Sequence, residues 1–140
     1  MRALHEIEGV AKAGRTRLGS QPLLEQPNFQ RNWGYHHSAL KSARLLARET
    51  FRDAVDACQP GQTKETRIAR VRTAMADASY AVRVAKAAVV WAWESSGSHG
   101  IRNPSKLQRC FRDIHVGAGH QVFDDRNFIE NAKQLLELEN

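Results

Sequence analysis

Between Ile68 and Ala92 the apolar side chains return at steps of three and four residues: Ile68, Val71, Met75, Ala78, Val82, Ala85, Val89 and Ala92. A strand repeats every second residue, whereas this spacing lines one face of an α-helix. Thr63 is a good N-cap, Glu65 and Thr66 suit a first turn, and Ser95, Ser96, Gly97 and Ser98 make a stop. The segment therefore predicts one helix of about 33 residues, roughly 50 Å long. A rod of that length needs partners, and the small residues along its stripe let neighbours approach closely. The stripe is expected to be bundle core.

The remaining joints are marked by four prolines and nine glycines. Residues 2–18 read as a first helix, with Leu4, Ile7, Val10 and Ala11 at helical spacing, followed by a loop at Gly19, Pro22 and Pro27. A second helix is expected over residues 29–58 and stops at Gln59, Pro60 and Gly61. A fourth starts at Pro104 or Ser105 and loosens between Gly117 and Gly119; a short last one covers residues 127–138. No segment is left for a strand. The chain is thus expected to be all-α, an antiparallel four-helix bundle with a short additional C-terminal helix, forming one domain over residues 1–140.

Composition narrows the function classes. Hydrophobic residues make up 41% and charged ones 26%, which supports a packed core rather than disorder. The net charge of +6 raises the question of nucleic acid. The arginines fall in separate segments, at 15 and 17, at 44, 48 and 52, and at 67, 70 and 72, with no run of five like charges, so no nucleic-acid footprint is expected. No apolar stretch approaches the length of a membrane span, and no leader is read before residue 20. Cys58 and Cys110 do not form a disulfide framework, and a reducing cytoplasm is the expected location.

The stretch from residue 104 to 124 breaks the rules of a plain surface helix. Arg109, Arg112 and Asp113 sit among Leu107, Phe111, Ile114 and Val116, and His115, Gly117, Gly119 and His120 follow. His36 and His37 are adjacent, pointing about 100° apart on a helix, and His115 and His120 lack the i, i+4 spacing of a helical metal pair; no metal site is expected. His120 is the candidate acid or base, since imidazole titrates near neutrality and the two glycines beside it admit a ligand; equally, it could simply finish a helix. Arg112 and Asp113 cannot face each other on one helix and are expected to hold the structure through separate partners. The polar loop of Ser96, Gly97, Ser98 and His99 has backbone N–H groups that could receive a ligand edge. Trp33, Trp91 and Trp93 could stack on a flat ring, the last two from different faces.

Taken together, Ser95-Ser96-Gly97-Ser98, Leu107-Gln108-Arg109, Phe111-Arg112-Asp113-Ile114-His115 and His120 resemble the C-terminal helical domain of two-component, reduced-flavin-dependent monooxygenases with the acyl-CoA dehydrogenase fold. Ala11-Lys12, Leu23-Leu24-Glu25-Gln26-Pro27, Ala43-Arg44-Leu45-Leu46 and Val71-Arg72-Thr73-Ala74 extend the likeness over nearly the whole chain. The resemblance implies reduced flavin, FMN or FAD, as cofactor. Where dehydrogenases of this fold place a catalytic glutamate, His120 and Gln121 stand, which resembles the hydroxylases. It further implies His120 as base or substrate hydrogen-bonding group and His115, Trp33 and Gln121 as substrate contacts. Ser96, Gly97, Ser98 and His99 would lie against the flavin, with Arg112 and Asp113 holding the helix. An aromatic or polyketide-like substrate and a homo-oligomer, or a partner subunit carrying the upstream domains, belong to the same expectation. The alternative is a non-redox module of the same ancestry, either an oligomeric binding or scaffold protein or a small cyclase.

Overall fold

The computed structural model describes residues 1–14, 21–102 and 105–138, and among them there are five α-helices and no strand. They are α1 (Arg2–Lys12), α2 (Pro27–Asp56), α3 (Lys64–Ser95), α4 (Lys106–Ala118) and α5 (Arg126–Leu135). Single 3-10 turns lie at Leu23–Glu25, Gly97–His99 and Gln121–Phe123. No described helix is long and apolar enough to cross a membrane.

The helix ends follow local chemistry. Pro27 opens α2, where its missing N–H costs nothing. Gly61, at φ +95°, turns the chain in a region that disfavours other residues. Thr63 caps α3 as the sequence predicts: its Oγ accepts the Thr66 N–H at 3.1 Å. Ser105 does the same for Gln108 at the start of α4, at a looser 3.5 Å; Pro104 lies outside the described residues. The first helix is shorter than its pattern suggests. It ends at Lys12, and Gly14 at φ +68° follows; residues 15–18 lie outside the described part.

Contacts divide the chain into two compact units. The first comprises residues 1–41 and 84–117, which brings together α1, the start of α2, the end of α3 and most of α4. Its core joins all four: Ala3, Ile7 and Ala11 from α1, Phe29 from α2, Ala92 from α3 and Leu107 from α4. Ile7 is fully buried and Leu107 is 1% exposed. Trp33, Trp91, Trp93 and Cys110 pack around this centre. Neighbouring helices run antiparallel. Phe29 and His36 meet Trp91, whereas Leu40 lines the same hollow as Ala85, and Glu6 pairs with Lys106 while Arg2 lies beside Cys110.

The second unit comprises residues 42–83 and 118–140. Its buried residues are small: Ala43, Ala54, Ala57, Ala74, Ala76, Ala78 and Ser79. Polar groups fasten α5 to α3. Asn127 donates to Ser79 Oγ at 2.8 Å, the Thr73 hydroxyl reaches Asn131 Oδ1 at 3.0 Å, and Gln134 donates to the Ala69 carbonyl at 3.3 Å. Arg83 pairs with Asp125 and lies over the Phe128 ring, and Arg72 faces Glu130 at 3.7 Å. As residue numbers rise on α5 they fall on α3, so this pair is antiparallel too.

The apolar stripe of α3 is only partly core. Ile68 and Val71 are 41% and 44% exposed, while Ala74, Ala76 and Ala88, outside the stripe, are buried. Ala76 and Ala78 lie about 200° apart around the helix. Neighbours therefore press on α3 from opposite sides, and burial goes to the smallest side chains rather than to one seam.

Candidate functional site

Two hollows lie in the first unit, and they differ in chemistry. The larger, about 640 Å³, is reached from the loop after α3 and holds Ser96, Gly97, Ser98 and His99 together in its wall. Phe29 and Trp91 form its aromatic side, with ring centroids 5.5 Å apart. Gln26, Asn28 and Asn32 supply amides, Glu94 supplies the one carboxylate, and no Lys or Arg lines it among the described residues. His36 stacks on the far side of this wall, 5.0 Å from Trp91, and burial pulls its pKa below the usual imidazole value.

The loop is held tightly. Ser96 Oγ donates to the Trp93 carbonyl at 2.6 Å, and Trp93 Nε1 donates to the Gly100 carbonyl at 3.1 Å. Gly97 sits at φ +55°. A Cβ on Gly100 would collide with Ser96 Oγ and come within 3.0 Å of the Trp93 carbonyl, so glycine is a packing requirement there. Sequence reasoning passed over Gly100, because close approach leaves no periodic signal. His99 Nδ1 is buried with no hydrogen-bond partner among the described residues, as is Trp33 Nε1.

The smaller hollow, about 330 Å³, lies between the start of α1 and the middle of α4. Leu40, Val89 and Ile114 line its floor, and Arg2, Arg109, Cys110 and Asp113 line its sides. Arg109 Nε meets Asp113 Oδ2 at 3.6 Å, both exposed. Arg112 is exposed too.

The remaining predicted residues are dispersed. Trp33 lies parallel to the His37 ring at 5.1 Å, in the first unit. His115, half-buried on α4, contacts the Phe111 ring at 4.2 Å, and its Nδ1 bonds the Phe111 carbonyl at 2.7 Å. A carbonyl only accepts, so Nδ1 carries the proton and neutral His115 offers a lone pair at Nε2. His120 and Gln121 are exposed and belong to the second unit. His120 caps the 3-10 turn Gln121–Phe123: its Nδ1 accepts the Val122 N–H at 3.2 Å. Its neutral form therefore presents Nε2–H, a donor. Neither hollow is lined by Trp33, His115, His120 or Gln121.

Comparison with known proteins places this arrangement. Residues 1–125 match the family described as acyl-CoA dehydrogenase, C-terminal domain. The chain belongs to that family. It is also 31% identical, over 133 residues, to the indole-3-acetate monooxygenase of Pseudomonas putida. The match covers 93% of this chain and 33% of that protein, so the chain spans about a third of its curated relative's length. The all-α architecture is that of an acyl-CoA dehydrogenase-like C-terminal domain, and the relative of known activity is a monooxygenase.

Proposed function

We propose that this chain supplies the C-terminal helical part of a reduced-flavin-dependent monooxygenase that hydroxylates an aromatic or polyketide-like substrate in a reducing cytoplasm. The observation that carries the reading is family membership over residues 1–125, with a monooxygenase as relative. The larger hollow is compatible with it. Its aromatic wall and its amides fit the uncharged, hydrogen-bonding edge of a flavin ring. The absence of Lys and Arg from its described lining does not fit a phosphate, which would be held by other parts of the assembly. Flavin, when bound, supplies the activation of oxygen.

The protein's own groups take complementary parts in this proposal. Ser96, Gly97, Ser98 and His99 hold the ring edge, and Arg112 and Asp113 stabilise α4. Trp33 and Gln121 are the substrate contacts that the family resemblance implies. His120 Nε2–H donates a hydrogen bond to a substrate oxygen, while the His115 Nε2 lone pair is the one available to accept a proton. A self-associated state belongs to the same proposal: Ile129 and Leu135 stand 55% and 69% exposed on α5. Sedimentation of the isolated chain tests that part.

The function is tested by mixing the chain with reduced FMN or FAD, with and without a partner carrying the upstream domains. Oxygen-dependent hydroxylation of an aromatic probe is the expected result with the partner. Absence of flavin binding under both conditions overturns the reading and leaves a non-redox binding module.

A further inference from the structure

We infer that Trp91, His36 and Tyr35 form a path that carries one-electron oxidising equivalents from the larger hollow to the protein surface. The path is a property of the rings, whatever oxidant arises in the hollow, so it does not rest on the flavin reading. Trp91 lines the hollow. His36 stacks on it with ring centroids 5.0 Å apart, and the Tyr35 ring meets His36 edge-on at 5.2 Å. Tyr35 is 67% exposed. One end of the row therefore faces the cavity and the other faces water, with a single ring between them.

Among the described residues, only this row joins the two chemistries that such a path needs. Indole and phenol give up an electron readily. Benzene and neutral imidazole do not, but a ring in van der Waals contact narrows the gap through which an electron tunnels. The row Trp93–Phe111–His115, at 4.5 and 4.2 Å, ends on an imidazole, and so does the Trp33–His37 pair at 5.1 Å. Tyr80, the other tyrosine, belongs to the second unit. Burial holds the His36 pKa below the usual imidazole value, so the middle ring is neutral at pH 7 and sets no positive charge against a migrating hole. Proton loss gives the direction. The oxidant takes one electron from Trp91, and Trp91 takes one from Tyr35. Tyr35 releases its phenol proton to the water around it, and the indole is restored. The tyrosyl radical then takes a hydrogen atom from a thiol in solution, which leaves as a thiyl radical. Trp91 and Tyr35 both end unchanged, and the aromatic wall of the hollow is spared.

Azidyl radical, made by pulse radiolysis of azide solutions, oxidises tryptophan in preference to tyrosine and serves as the probe. In the full chain the tryptophanyl absorption is expected to decay as tyrosyl absorption grows, in a first-order phase whose rate does not change with protein concentration. Tyr80→Phe is expected to leave that phase intact. Tyr35→Phe and Trp91→Phe are each expected to abolish it, and His36→Leu to slow it, with helical circular dichroism confirming that each variant is folded. Tyr35 is exposed, so Tyr35→Phe decides the matter even where a change at an inner ring prevents folding. A phase that survives Tyr35→Phe or a folded Trp91→Phe, that needs Tyr80, or that scales with protein concentration would overturn the path. So would its absence from the unaltered chain, or an unchanged rate in folded His36→Leu. None of these results bears on flavin binding, which the reconstitution with reduced FMN or FAD reads separately.

Discussion

The two units of this chain solve the same packing problem with different materials. The first closes four helical segments around Ile7, Phe29 and Leu107 with three tryptophans nearby. The second packs alanines and fastens its last helix with amides, hydroxyls and arginine. Large apolar side chains fill space and can enclose hollows where they do not meet. Small ones let backbones approach until polar side chains can bridge them. Both hollows described above lie in the first unit.

The sharpest challenge to the contrast is Ile7→Ala. Ile7 is fully buried, and its truncation should cost about 2–5 kcal/mol in denaturant unfolding. A cost near zero would show that the first unit is not held by its apolar centre. In the second unit the opposite change matters: Ala74→Leu inserts bulk at a 2% exposed position and should cost about 1–3 kcal/mol. Tolerance of leucine there would refute the close alanine packing. Gly100→Ala should cost a comparable ~1–3 kcal/mol and raise amide exchange across residues 96–100, because the added Cβ has nowhere to go. Asn127→Ala removes donors to Ser79 Oγ and to the Val122 carbonyl. It should cost about 1–2 kcal/mol and speed exchange of α5 amides ahead of those of α1.

The smallest effects are in pH dependence, and they have opposite signs. His36 has a lowered folded pKa, so unfolding takes up a proton and its contribution to stability is lost as pH falls below about 6.5 towards that folded value. Asp77 in the second unit is raised by burial, and its hydrogen bond with Thr50 only partly offsets this. Its contribution is greatest below the ordinary carboxylate value and is lost as pH rises through the folded pKa. His36→Gln should therefore flatten the mildly acidic limb of the stability curve. Asp77→Asn should flatten the more acidic one and raise stability at neutral pH. Matching signs in the two variants would remove this part of the contrast.

Much of the scaffold could be read before any coordinates. Thr63 caps α3, the five helices occur where periodicity puts them, with the first and last shorter than expected, and Trp91 and Trp93 take different partners. What periodicity could not give is which residue of a stripe is pressed from two sides. Ile68 and Val71 therefore remain exposed while Ala74 and Ala76 are buried. The loop Ser96, Gly97, Ser98 and His99 was legible as one polar cluster and does line one hollow. The smaller hollow was not legible. It is assembled from α1, α2, α3 and α4 by positions far apart in sequence, and only packing brings them together.

All three tryptophans fall in one unit, and two of them stack on imidazoles. Indole emission is thus a one-sided witness: a melting curve followed at that wavelength watches the aromatic half and is blind to the alanine half. Any apparent two-state transition recorded by fluorescence has to be repeated with a backbone-wide signal before it describes the whole chain.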